Sequence, residues 1–178
     1  GVCPQELTIT RTWIAEDDCG NTSTCNQIIF VDDSSAPNIT CPANITIQCT
    51  ANTLPGNTGT ATATDNCDGT PAVTFTDVTV GGACPQERTI NRTWRATDDC
   101  GNSSTCLQII IVDDSVAPAI TCPANVTILC TASTLPVNTG SATATDNCDA
   151  VSAITFSDVI IAGSCAQERT INRTWSAT

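Results

Sequence analysis

Hydrophobic and polar residues alternate along this chain in short runs, and nowhere does an apolar residue return every three or four positions over the length of a helix. The segment 44 to 49, Asn-Ile-Thr-Ile-Gln-Cys, alternates; 60 to 64 is a threonine-rich run; 72 to 78, Ala-Val-Thr-Phe-Thr-Asp-Val, alternates again. Two further runs follow, at 88 to 97 and 107 to 112. Each reads as a β-strand, because side chains two apart share a face and can turn it toward a core. Pro37, Pro42, Pro55, Gly56, Gly59, Gly69, Gly81, Gly82 and Gly101 supply turn chemistry between the runs. The expectation is an all-β fold, a small antiparallel sandwich of about 80 residues.

The pattern recurs. Sliding the chain by 81 residues lays Cys3 on Cys84 and Cys165, Cys19 on Cys100, Cys25 on Cys106, Cys41 on Cys122, Cys49 on Cys130 and Cys67 on Cys148. About three quarters of the overlapping positions are then identical, which is tandem duplication of one unit. Residues 1 to 33 read as the C-terminal part of a truncated repeat, 34 to 114 as a complete one, and 115 to 178 as the N-terminal part of another. A longer array is the expectation. The joints at 31 to 37 and 112 to 118 are short and contain proline, hence stiff. The copies also sort the faces of the last strand. Ile110 and Val112 match Ile29 and Val31, whereas Leu107 and Ile111 give way to Asn26 and Phe30. The tolerant face, Leu107, Ile109 and Ile111, is expected to lie outside, as a contact for self-association or under a neighbouring strand or sugar.

Composition narrows the class. Six basic residues, all Arg, stand against 18 acidic ones for a net charge of -12, and there is no His. Phosphate recognition lacks its basic stripe, so nucleic acid and anionic membrane surfaces are poor partners. No apolar run reaches the roughly 18 residues of a membrane span, and no signal-like segment opens the chain. With 13 Cys, 3 Trp, 3 Phe and no Tyr, covalent bridges must substitute for a large aromatic core. That points to an oxidising compartment. Without His or Lys, acid-base chemistry would fall to Asp pairs that recur in every copy, so an enzyme is not expected.

The order APNITCPANITI, then TATDNCD, then TWRATDDCGNSSTCLQIIIVDD resembles the hyalin-repeat (HYR) family, in its cysteine-rich form found as tandem arrays in secreted bacterial surface proteins. The resemblance covers the whole chain. It implies an immunoglobulin-like β-sandwich in an extracellular, adhesive setting and names no ligand. The chain departs from the simplest pattern in placing Trp94 where Tyr is usual, and in its further cysteines at 49, 67, 84 and 100. Six cysteines per repeat allow fifteen pairings. Along an immunoglobulin-like path, Cys41, Cys67, Cys100 and Cys106 fall at one pole and Cys49 and Cys84 at the other. The pairing expected is then Cys49 with Cys84, Cys67 with Cys100 and Cys41 with Cys106, with Cys130 finding Cys165 in the next copy. The rival joins Cys100 to Cys106 and Cys41 to Cys67. Zinc is disfavoured, since there is neither a CxxC nor a His.

Acidic side chains cluster at the same pole: Asp65, Asn66 and Asp68 in one loop, Asp98 and Asp99 in the next, with Asp32 and Asp33 on the incoming joint. Converging oxygens of this kind suit Ca²⁺, which takes six to eight; the plainer reading is that Asp and Asn are ordinary turn residues. Asn21, Asn38, Asn44, Asn91, Asn102, Asn125 and Asn172 head N-x-S/T sequons, and Ser115 lies in an Asp-Ser-aliphatic motif for O-linked sugar, so glycans are expected covalent partners. Trp13, Trp94 and Trp175, each two residues after an Arg, suit a core aromatic with a stacked guanidinium better than a carbohydrate site. The function expected is a structural extracellular stalk or filament built of repeats, glycosylated and adhesive, whose partners are flanking repeats and further copies. The alternative is a binding module of an adhesin or receptor, with ligand-tuned variation at 69 to 71 against 150 to 152.

Overall fold

The structure, a computed structural model, describes residues 3 to 148 and 153 to 178; positions 150 to 152, the variable triplet of the third copy, lie outside them. The complete copy holds strands β3 (Asn38–Thr40), β4 (Ile45–Gln48), β5 (Thr62–Thr64), β6 (Ala72–Gly81), β7 (Arg88–Thr97) and β8 (Ser103–Asp113). β4, β8, β7 and β6 make a four-stranded sheet in that order, and β3 pairs antiparallel with β5. Among the described residues the fold is all-β apart from two single-turn helices.

Those helices are compatible with the all-β expectation and carry no helical apolar period. α1 (Pro55–Thr58) and α2 (Pro136–Thr139) each begin on Pro, whose fixed φ suits a first helical position. A single turn is too short to carry an apolar period, so pattern alone cannot find it. α1 stops at Gly59, where φ is +96° and a Cβ would come within 2.7 Å of Pro42 Cβ, so only glycine fits. Strand β3 was also not expected, since three residues carry too little alternation to register, and β8 begins at Ser103 rather than 107.

The core of the complete copy lies against β7 and β8. Ile90, Trp94 and Ala96 from one strand and Ile110 and Val112 from the other are buried, every second residue as strand geometry requires. Two polar side chains share this interior. Gln108 is fully buried, accepts from Trp94 Nε1 at 3.2 Å, and donates to the carbonyls of Ala43 and Thr58. Arg92 donates to both oxygens of Asp77, its cross-strand partner on β6, and to Thr58 Oγ1 and the Thr53 carbonyl. Its guanidinium lies 4.4 Å from the Phe75 ring centroid and 5.8 Å from that of Trp94. A buried charge tolerated this way is fully partnered.

The remaining elements are β1 (Leu7–Glu16) and β2 (Thr22–Val31), which pair as a hairpin, then β9 (Ala119–Thr121), β10 (Thr143–Thr145), β11 (Ile154–Ala162) and β12 (Arg169–Ala177). β9 pairs with β10 and β11 with β12. Positions 81 apart carry the same kinds of element: β1 and β2 stand where β7 and β8 do, and β11 and β12 where β6 and β7 do. Arg173, Asp158, Phe156 and Thr139 repeat the Arg92 arrangement. Cover differs between these equivalent positions. Trp94 is 2% exposed, while Trp13, on a hairpin that among the described residues has no flanking strand, is 55% exposed.

By contacts the chain divides into two compact units. The first comprises Gly1–Thr46, Asn52–Gly81 and Arg88–Ile111, and holds the Arg92 core; the second comprises Ile47–Ala51, Gly82–Glu87 and Val112–Thr178, and holds the Arg173 cluster. No helix among the described residues is long and apolar enough to cross a membrane.

Candidate functional site

The chemistry of this chain is concentrated in its cysteines. Among the described residues three disulfides are formed: Cys41 with Cys106, Cys3 with Cys100, and Cys49 with Cys148, their Cα atoms 5.9, 4.5 and 5.9 Å apart. Cys19, Cys25, Cys67, Cys84, Cys122, Cys130 and Cys165 are unbridged. The expected Cys49–Cys84 and Cys67–Cys100 bonds are therefore corrected, and Cys130 and Cys165 are not joined. The reason lies in where the loops point. Cys49 N–H donates to the carbonyl of Asp113, so the end of β4 sits on the outgoing joint, and Cys49, Asp114 and Cys148 have ligand atoms within 4.8 Å of one another. At the incoming joint the loop carrying Cys100 is held by Asn102 Nδ2, which donates to the carbonyl of Asp33. Both pairs span more than one period, with sequence separations of 97 and 99. Bridges of this kind form and persist in oxidising compartments.

The Cys100 loop is shaped by Asp98, whose Oδ1 accepts from the backbone N–H of Cys100 and Asn102 while Oδ2 accepts from Asn102 Nδ2. Gly101 supplies the positive φ the turn needs. Asp17 and Asn21 build the same turn in the first copy, and the Asn21 amide and the loop N–H groups hold the Asp17 carboxyl below its ordinary pKa. In the neighbouring loop, backbone N–H groups of Asp68 and Cys67 bond Asp65 and lower its pKa likewise.

Of the seven oxygen-bearing residues anticipated at this pole, three converge: carboxylate oxygens of Asp33, Asp65 and Asp98 lie within 4.8 Å of one another. Asp33 is 5% exposed, its Oδ1 accepts from Ser35 N–H, and its Oδ2 is buried with no hydrogen-bond partner. The other four are placed differently. Asp68 is buried, but its oxygens accept from the Thr70 and Asp99 N–H groups; Asp32, Asn66 and Asp99 are exposed. Partial desolvation, then the charges of Asp33 and Asp65, push the Cys67 thiol above its ordinary pKa.

The sequon residues divide by engagement. Asn38, Asn125 and Asn172 are exposed, Asn91 is half-buried, and Asn44 is exposed with its oxygen accepting from Ile109 N–H. Asn102 is half-buried, its amide donating to the Asp33 carbonyl and to Asp98 Oδ2; Asn21 is exposed but bonded to Asp17. Ser115 is exposed and its hydroxyl accepts from Gln48 Nε2. On β8, Leu107 and Ile111 are exposed and Ile109 is half-buried, opposite the buried Gln108, Ile110 and Val112. Gln108 had no place in the sequence reading; its identity with Gln27 inside an apolar run was the available signal.

The chain matches no family model, no curated protein and no solved structure.

Proposed function

We propose that this chain is a structural, non-catalytic segment of an extracellular stalk or filament, made of tandem immunoglobulin-like repeats of the HYR-like kind. One observation carries the reading: two of its three disulfides join cysteines more than one 81-residue period apart, so they tie one copy of the repeat to the next. A protein selected for reach and stiffness needs such ties, whereas an enzyme or a single receptor domain does not. The buried Arg92 of the core is spent on Asp77 and on packing rather than on a ligand. Surface sequons and hydroxyls offer covalent glycan sites that would keep the array soluble. Electron microscopy of material from the native source tests the proposal. Uniform thin fibres that fragment or soften on reduction are the expected result, and discrete particles with no fibres would overturn it.

A second reading is favoured by one atom. The buried Oδ2 of Asp33, unpartnered beside Asp65 and Asp98, suits a hard divalent cation such as Ca²⁺, which would offset the mutual repulsion of three carboxylates. Titration calorimetry with Ca²⁺ checks it: wild type should bind at millimolar or tighter concentration and gain melting temperature, and Asp33→Asn should lose both.

A further inference from the structure

The three bridges define a rule once each cysteine is referred to its position in the complete copy. Cys148 is the copy of Cys67 one period later, and Cys3 is the copy of Cys84 one period earlier. The observed bonds are therefore of three kinds. The 41-type cysteine pairs with the 106-type in its own copy; the 49-type pairs with the 67-type of the following copy; the 84-type pairs with the 100-type of the following copy. All six positions of the repeat are used, each once. Two are consumed inside a copy, two face backward and two face forward, so every joint would carry two bridges.

Applied to the seven unbridged cysteines, the rule names a partner type for each and pairs no two of them within one molecule. Cys25 and Cys122 call for a 41-type and a 106-type partner; Cys19 and Cys67 face backward; Cys84, Cys130 and Cys165 face forward. We infer that the seven are open halves of the same three bridges, and that each closes on a cysteine of another copy of this repeat. All seven are exposed, as a bond to another copy requires. The strands agree with the cysteines. β8 lies between β4 and β7 in the complete copy, whereas among the described residues its counterpart β2 pairs only with β1, and β12, the counterpart of β7, only with β11. Apolar side chains on the β2 hairpin stand open accordingly, Phe30 at 74% exposure. Each bond formed takes two protons and two electrons from a pair of thiols, passed to an external disulfide that is reduced to its dithiol. The inference rests on the repeat reading above and adds the partner chemistry.

The partner copy can belong to the same polypeptide or to a second molecule, and one experiment separates the two. Native-source material is denatured without reductant, alkylated, digested, and its disulfide-linked peptides sequenced by mass spectrometry, beside gels run with and without reductant. The expected links are 41-type to 106-type, 49-type to 67-type and 84-type to 100-type only. If the partner is a second molecule of this chain, Cys122 links to Cys25, Cys84 to Cys19 and Cys130 to Cys67 across molecules, Cys165 alone is alkylated, and a ladder collapses on reduction to 18.4 kDa. If it lies in the same polypeptide, the same links appear and reduction produces no ladder collapse. Links of any other type, such as Cys49 to Cys84, or seven alkylated cysteines per chain, overturn the inference. A correct set of links in material that forms no fibres would sink the filament proposal and leave this one standing.

Discussion

At Arg92, four hydrogen bonds and two aromatic rings converge on one buried side chain. Arg92→Ala strands the Thr53 carbonyl and removes the counter-charge of Asp77, so about 3 kcal/mol of stability should be lost in a denaturant titration. Arg173→Ala should cost less, because that ion pair is more open to water, with 13% of the Arg side chain exposed against 1% for Arg92. The pairing of Arg with Trp two residues later was legible in the sequence, since such residues share a strand face. Asp77, Thr58 and Thr53 were not, because they arrive from 15, 34 and 39 residues away, through a strand register and a helical turn that alternation does not encode. At Cys67, in the isolated chain where it is a thiol, the prediction is kinetic. A raised thiol pKa leaves less thiolate at a given pH, so alkylation should be slow at pH 8 and accelerate as pH rises. Asp33→Asn removes a neighbouring negative charge, lowers that pKa, and should speed the reaction at the same pH, read by mass spectrometry of the Cys67 peptide.

Strand β8 shows what a period of two can and cannot reveal. Its inward face was readable from the copies, because Ile29 and Val31 are kept as Ile110 and Val112 while the outward Leu107 and Ile111 replace Asn26 and Phe30. Truncating the two faces should therefore differ sharply. Ile110→Ala should lose about 2 to 5 kcal/mol and Leu107→Ala within about 0.5 kcal/mol, compared by thermal or denaturant unfolding. The short elements escaped the reading for a common reason: β3, α1 and their counterparts are held by tertiary partners such as the β5 ladder and the Gly59–Pro42 approach, with too few residues to form a pattern. The acidic loops divide in the same way. Asp and Asn content marked the right pole, yet only backbone direction decides that Asp33, Asp65 and Asp98 meet while Asp32 and Asp99 face water.

Across the whole molecule the disulfides were the least legible feature and matter most. Spacing within a repeat points to pairs inside it, as in an isolated domain, whereas two of the bonds join cysteines 97 and 99 residues apart. The Cys41–Cys106 bond closes a loop of 65 residues, which loop-closure entropy values at about 4 kcal/mol. A Cys41→Ser, Cys106→Ser double variant should lose a stability increment of that order in a chemical denaturation series.

The same bond also acts as a mechanical shunt. Tension applied at residues 34 and 114 reaches Cys41 after a few residues and crosses the sulfur link to Cys106, so residues 42 to 105 are bypassed and only β3 and the 107 to 113 part of β8 stay in the load path. A pulled copy could then pay out only about 50 Å of slack, against about 280 Å for the same residues fully extended, at roughly 3.5 Å per residue. Single-molecule stretching should record short, reductant-sensitive extensions, as expected of a cable of nearly fixed length rather than a spring.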